Sequence, residues 1–191
     1  MLQTSTVKES TFGLLKRLQA EPLLATTRLV GGTALSLQIG HRESDDLVLF
    51  SVEPLEGMLV QKLLVDKYGF VPSVVSDNTL IGFVEGVKIA AMKMHAIINS
   101  GKRPKDFVDV AFLSMCYSYN QIKQLLLRRY PAYDPIMADK AIIYFGDIDE
   151  MIIPEIRMIG YQFDFQAVEK RIIKMTDYPD KVYTTAPLKR I

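Results

Sequence analysis

The sequence predicts an α+β protein, with strands gathered in its first half and helices in its second. Two observations carry that expectation. Short β-rich runs bounded by Gly, Asn or Asp fall between residues 27 and 84, and apolar residues at helical spacing dominate from residue 105 onward. Such segregation argues against a doubly wound sheet, in which strand and helix alternate throughout. At 191 residues the chain can form one substantial domain or two small ones. The expected organisation is a core of residues 1–100 with a mainly helical region, residues 101–191, packed on it.

Each element has a local reason. Val7 to Leu18 places Phe12, Leu15 and Leu18 near one helical face with Leu14 beside them. Thr27–Val30 reads as a strand that ends at Gly31-Gly32, and Thr33 to Ile39 as a short helix stopped by Gly40. Leu47 to Val52 is an apolar run with no helical stop, so a strand is expected. Leu55 to Tyr68 reads as a helix closed by Gly69, with Leu55, Leu59, Leu63 and Lys67 on one stripe. Phe70–Val75 and Thr79–Val84 flank Ser76-Asp77-Asn78, a hairpin signal. After Gly86 the pattern turns helical through Met94, Ile97 and Ile98 until Gly101-Lys102-Arg103-Pro104 interrupts it. Further helices are expected over 106–116, 120–130, 136–145 and 165–175.

Composition removes several classes. Hydrophobic residues at 49% and charged residues at 24% are ordinary for a globular chain and argue against extensive disorder. Lys+Arg of 23 against Asp+Glu of 22 disfavours a histone-like nucleic-acid binder. No apolar run approaches the roughly 18–20 residues that span a bilayer, so no membrane partner is expected. Met1 to Ser10 is polar and lacks a basic-then-apolar signal pattern, and the expected location is the cytoplasm. A single cysteine, Cys116, excludes an intrachain disulfide framework.

Chemistry concentrates between Leu29 and Phe50. A strand that ends in two glycines and opens a helix exposes backbone N–H groups where a phosphate can approach. Thr33 adds a hydroxyl, and Asp46 opens the next strand, where a carboxylate could hold Mg²⁺ against that phosphate. Taken alone, a Gly-Gly turn more often serves structure than ligand binding. The spacing is more specific. Gly31-Gly32-Thr33-Ala34-Leu35, followed by Gly40-His41-Arg42-Glu43-Ser44-Asp45-Asp46-Leu47, resembles the signature of the AbiEii/AbiGii-type nucleotidyltransferase toxin family. That family belongs to the DNA-polymerase-β-like nucleotidyltransferase superfamily. Ala91-Met92-Lys93-Met94-His95-Ala96-Ile97 and then Gly101-Lys102-Arg103-Pro104-Lys105-Asp106-Phe107-Val108-Asp109 resemble the family's helix–loop–helix motif. The likeness covers roughly residues 28 to 145, fading by about residue 175.

The resemblance implies a small mixed nucleotidyltransferase-like sheet flanked by helices and followed by a helical C-terminal region. It implies a nucleotide site at Gly31, Gly32, Thr33, Arg42 and Ser44, with Asp46 as metal ligand and Asp46, Lys93 and Asp106 as catalytic residues. NTP would be the substrate, Mg²⁺ the cofactor, an RNA such as tRNA the acceptor, and a cognate antitoxin the protein partner. The activity implied is nucleotide transfer to RNA by the toxin half of a bacterial toxin–antitoxin or phage-defence system. In such chemistry, metals activate the attacking hydroxyl and neutralise the leaving pyrophosphate.

Two departures weigh on that activity. The family carries Asp-x-Asp where this chain has Asp46-Leu47-Val48, and strand residues two apart face the same side. Val48 offers no oxygen, and Asp45 points to the opposite face. The second departure is a compression: Gly86-Val87-Lys88-Ile89-Ala90 runs straight into Ala91-Met92-Lys93, where the family has another carboxylate and a connecting segment. Glu85 is the only nearby acid. The alternative is therefore a catalytically inactive relative that binds nucleotide or protein.

The other marked residues have plainer readings. His41 and His95 lack a second ligand at metal spacing, and Cys116 reads as buried filler in an apolar helix. Met92, Met94 and Met115 read as core, while Lys102, Arg103, Lys105 and the pair Arg128-Arg129 read as solvated charge.

Overall fold

The computed structural model describes residues 1–51, 56–76, 79–84, 87–91, 102–129 and 131–191. The chain divides into two compact units, Met1–Met94 and His95–Ile191. The class is α+β, as the sequence predicts, with every described strand of the sheet in the first unit.

The first unit runs α1 (Glu9–Gln19), β1 (Thr27–Val30), α2 (Gly31–Ile39), β2 (Leu47–Ser51), α3 (Gly57–Tyr68), β3 (Val71–Ser76), β4 (Thr79–Val84) and β5 (Val87–Ala91). The sheet is mixed, in the order β1-β2-β5-β4-β3. β1 and β2 are antiparallel, with Val30 opposite Val48; β2 and β5 are parallel, with Leu47 opposite Ile89. β4 pairs antiparallel with both β5 and β3. The β3–β4 register shifts between Pro72 and Val74, where proline has no N–H to donate and the strand lies at the sheet edge. Gly40 and Gly69 close α2 and α3 in the left-handed conformation, φ 74° and 62°.

Three expectations for the first unit need correction. Val87–Ala91 is a strand, although the sequence pattern turns helical after Gly86. Pairing with neighbours on both sides outweighs local helix propensity there. α2 begins at Gly31 itself, two residues before the expected start. The inner face of α3 is Val60, Leu64 and Tyr68, while Leu59 is exposed; Leu55 lies outside the described residues. The end of α3 is tied to Glu21, which accepts from Lys67 Nζ at 2.6 Å and from the Tyr68 hydroxyl. Burial, then the Glu21 carboxylate, pushes the Tyr68 hydroxyl up to about 12.

The first core gathers Leu14 and Leu18 from α1, Leu37 from α2, Leu47 and Leu49 from β2, and Val84 from β4. The second unit runs α4 (Pro104–Leu113), α5 (Tyr119–Arg129), α6 (Pro135–Ile142) and α7 (Phe165–Asp177). Asp134 and Asp164 begin α6 and α7 by accepting from the Ile136 and Ala167 N–H groups, at 2.8 and 3.2 Å. α6 ends at Ile142, short of the expected Phe145. Phe107 of α4 is buried against Phe145 and Phe165, at ring separations of 5.4 and 6.5 Å. Cys116 is exposed rather than buried, because it follows the end of α4 in a turn.

α5 and α6 are latched by Asp139, which accepts from Tyr119 Oη at 2.6 Å and from Lys123 Nζ at 3.0 and 3.1 Å. Burial alone would raise the Asp139 carboxyl, but the bonds from Tyr119 and Lys123 outweigh it and hold it below its ordinary 3.8. A carboxyl lowered by folding stabilises the native state above its unfolded value and loses that effect as pH falls through the folded value. Asp139→Asn is therefore expected to destabilise the protein at neutral pH, and its gap from wild type should close as pH falls below about 4. Urea midpoints of both proteins from pH 6 to pH 2 measure this. A gap that stays constant would mean that the latch has no titrating role.

Candidate functional site at the glycine turn

β1 delivers the chain to Gly31, which takes φ +75° and starts α2. An L side chain is strained at that φ, so the turn calls for glycine. Val30, the N-cap residue, makes no side-chain cap, so the first N–H groups of α2 have no capping oxygen from that residue. At Gly32 the requirement is space: a Cβ would lie 2.3 Å from Arg42 Nη2. The Arg42 guanidinium thus packs on the backbone that opens the helix. It is buried, 4% exposed, and donates from Nη1 to the Glu43 carbonyl at 2.9 Å.

Thr33 is tied inward. It is 1% exposed, its hydroxyl donates to the Asp46 carbonyl, and it pairs with Ser44 Oγ at 2.8 Å. A hydroxyl has one proton, and a carbonyl only accepts, so Ser44 must be the donor to Thr33. The chain Ser44–Thr33–Asp46 holds the mouth of β2 against the first turn of α2. Ser44 is held in turn by its own N–H, which donates to the Thr6 carbonyl at 3.0 Å. Thr33→Val, which removes the hydroxyl but keeps the bulk, is expected to cost roughly 1 kcal/mol by taking the Thr33 partner from the part-buried Asp46 carbonyl and Ser44 hydroxyl. A denaturant midpoint unchanged from wild type would contradict this staple.

Along β2, Leu47 and Leu49 are buried in the core, while Asp46 is exposed and Val48 half-buried on the alternate positions. Val48 faces the glycine turn. Its Cγ2 lies 3.6 Å from where a Cβ of Gly31 would stand, in keeping with its pairing with Val30. Asp45 is held apart in an ion pair with Lys8 at 3.0 Å.

Gly31, Gly32, Thr33, Arg42, Ser44 and Asp46 are thus gathered at one turn of the first unit. Asp106 belongs to the second unit, in the first turn of α4, with Arg103 Nε 3.8 Å from its carboxylate. Lys93, Glu85 and His95 lie outside the described residues. Among the described residues no group of three or more His, Cys, Asp or Glu could hold a metal ion, and no helix is long and apolar enough to cross a membrane. The sequence reading missed the part played by Gln3 to Thr6. This segment braces α2 through the Gln3 N–H bond to the Leu37 carbonyl at 2.7 Å and through the Thr6 carbonyl. Polar residues in no periodic pattern leave no signal for it.

No family model matches the chain, and no solved structure matches it. An uncharacterized protein of Aquifex aeolicus (strain VF5), aq_aa25, is 28% identical over 180 residues, spanning 76% of this chain and 85% of its own length. An alignment of 180 residues that takes in 76% of a 191-residue chain is gapped on this side, so the relative carries positions with no counterpart here.

Proposed function

We propose that this chain is a nucleotidyltransferase-like protein of the AbiEii/AbiGii toxin type that binds NTP at the glycine turn and transfers nucleotides slowly or not at all. The observation that carries the reading is the position of Val48. It stands on the strand face turned to Gly31, two residues beyond Asp46, where a second metal-binding carboxylate would be needed. The N–H groups that open α2 offer donors and a favourable dipole to a phosphate. Asp46 fits a single Mg²⁺, because Mg²⁺ often takes one or two carboxylates and completes its shell with phosphate oxygens and water. When bound, the ion would offset triphosphate charge. One carboxylate does not fit two ions, and two-ion chemistry would need one ion for the attacking oxygen and one for the leaving oxygen.

Thr33 and Arg42 act in this reading from behind the turn. Their polar groups hold the backbone in place, with the Arg42 guanidinium against Gly32 adding positive charge close to the phosphate position. The gapped alignment with the Aquifex aeolicus protein is in keeping with a shortened chain. A tRNA acceptor and an antitoxin partner belong to the same proposal by resemblance.

The test incubates purified protein with each labelled NTP, Mg²⁺ and total tRNA, beside a calorimetric titration of each NTP. Binding with little or no labelled RNA is the expected result. Rapid labelling would restore the fully active enzyme, and absence of any NTP binding would leave the turn a purely structural feature.

A further inference from the structure

The N-terminal segment carries a cation to the mouth of β2. Thr6 and Val7 are buried, at 1% and 6% exposure, and Lys8 follows them as the N-cap residue of α1. Thr6 Oγ1 donates to the Gln3 carbonyl at 2.8 Å, and the Thr6 carbonyl accepts from the Ser44 N–H at 3.0 Å. Ser44 borders the glycine turn, its Oγ 3.4 Å from where a Cβ of Gly32 would stand. The backbone that bears Lys8 is thus anchored by buried residues before it and a helix after it. Its charged head is not. Lys8 Nζ meets Asp45 Oδ2 at 3.0 Å, with the lysine side chain 70% exposed and the aspartate 47%. An ion pair so open to water holds its partners weakly, and the flexible four-carbon stem lets the ammonium exchange one anion for another.

The surrounding charge shows what that exchange would serve. Glu43, Asp45 and Asp46 are three exposed acidic residues within four positions. Asp45 and Asp46 stand just before Leu47, where β2 begins, so the carboxylate that holds Lys8 is next in the chain to the proposed Mg²⁺ ligand. Arg42 is already engaged behind the turn, buried against Gly32. A triphosphate approaching the N–H groups of α2 meets this excess of negative charge. With one carboxylate placed for one ion, part of the repulsion is left to be offset by the protein. Lys8 is an exposed cation that the fold adds at this point from 37 residues away in the chain.

We propose that Lys8 is a phosphate-binding residue of the glycine-turn site, with Asp45 as the counter-ion that holds its ammonium until a nucleoside triphosphate takes it. The ammonium offsets charge where a second metal ion is not held. Asp45 competes with the phosphate for it. The inference rests on the nucleotide reading, and adds to it a residue that lies outside the stretch carrying the family resemblance.

The test titrates the four NTPs and their monophosphates, with Mg²⁺, into the full chain and three variants by calorimetry. Lys8→Met is expected to weaken binding of the preferred NTP roughly fivefold or more, and of its monophosphate less, since fewer phosphate oxygens are within reach of the ammonium. Lys8→Arg should keep most of the affinity. Asp45→Asn should tighten NTP binding by removing the competitor. The pair is exposed, so the melting temperature of each variant should match wild type. Opposite signs for Lys8→Met and Asp45→Asn are what a merely structural ion pair would not give. Equal weakening by both, or a loss in Lys8→Met that goes with a lowered melting temperature, makes Lys8 a strut and overturns the proposal. NTP binding by wild type that Lys8→Met retains in full overturns it too, while leaving the nucleotide reading in place. Absence of NTP binding by wild type removes that reading and this inference together.

Discussion

Arg171→Ala is expected to cost about 3–4 kcal/mol, the largest single effect foreseen for a side chain outside the aromatic core. Arg171 is 8% exposed, and among the described residues no acidic side chain pairs with it. Its guanidinium instead donates to Ser114 Oγ at 2.9 Å and to the Thr185 and Ala186 carbonyls at 2.9 and 3.2 Å. It also lies 4.3 Å from the centroid of the Tyr183 ring. These bonds pin a C-terminal segment with no helix or strand of its own to α4 and α7. The rest of that segment is tied by backbone bonds, from Tyr183 N–H to the Ser114 carbonyl and from Gln162 N–H to the Lys189 carbonyl, both 2.9 Å. Truncation to Ala removes the charge-assisted bonds and leaves a cavity beside the buried Val168 and Ile172. A loss of that size lowers Tm by roughly 10–20 °C. Amide exchange at Tyr183 and Gln162 should accelerate before that of α4. Arg171→Met restores bulk without donors and should recover only part of the loss. If Ala and Met variants melt together near wild type, the guanidinium is not the clasp of this unit.

Val48→Asp should have the largest functional effect. It places a carboxylate two residues beyond Asp46, on the strand face that meets Gly31. Metal stabilisation of phosphoryl charge is commonly worth several kcal/mol, and about 1.4 kcal/mol is tenfold, so Mg²⁺-dependent NTP affinity should rise at least about tenfold. Half-burial of Val48 limits the stability cost of the exchange to about 1 kcal/mol. Turnover need not follow from tighter Mg²⁺-nucleotide binding, since binding the ground state more tightly does not by itself speed the chemical step. Calorimetric titration of NTP with and without Mg²⁺ reads the effect, with Val48→Asn as the uncharged control. An Asp variant that folds yet binds as wild type does, or an Asn variant that gains equally, would refute this account of the site.

Those two sites differ in how far they could be read before the fold was known. The turn was legible because its determinants are neighbours in the chain. A β-rich run, two glycines and a helix stop at Gly40 act over a dozen residues, and positive φ at Gly31 opens the helix as positive φ at Gly40 closes it. The expectation that Asp46 and Val48 share a face rests on strand alternation alone. Arg171 was not legible. Nothing near it in sequence announces that a lone arginine in an amphipathic helix will clasp carbonyls fourteen and fifteen residues away.

By itself, the sequence determined the α+β class, the β3–β4 hairpin, the glycine closures of α2 and α3, and the strand-to-helix turn at Gly31-Gly32. These depend on φ, periodicity and spacing, which are properties of short segments. Tertiary structure alone decided that Val87–Ala91 joins the sheet, that α3 turns Val60 and Leu64 inward, and that Thr33 and Arg42 face into the protein. It also decided that Ile136 and Met137 of α6 stay exposed while Ala138 and Ile142 are buried. The physical reason is that pairing and burial are settled between segments far apart in the chain. A short apolar run such as Val-Lys-Ile-Ala-Ala satisfies either a helix or a central strand until its neighbours supply the hydrogen bonds.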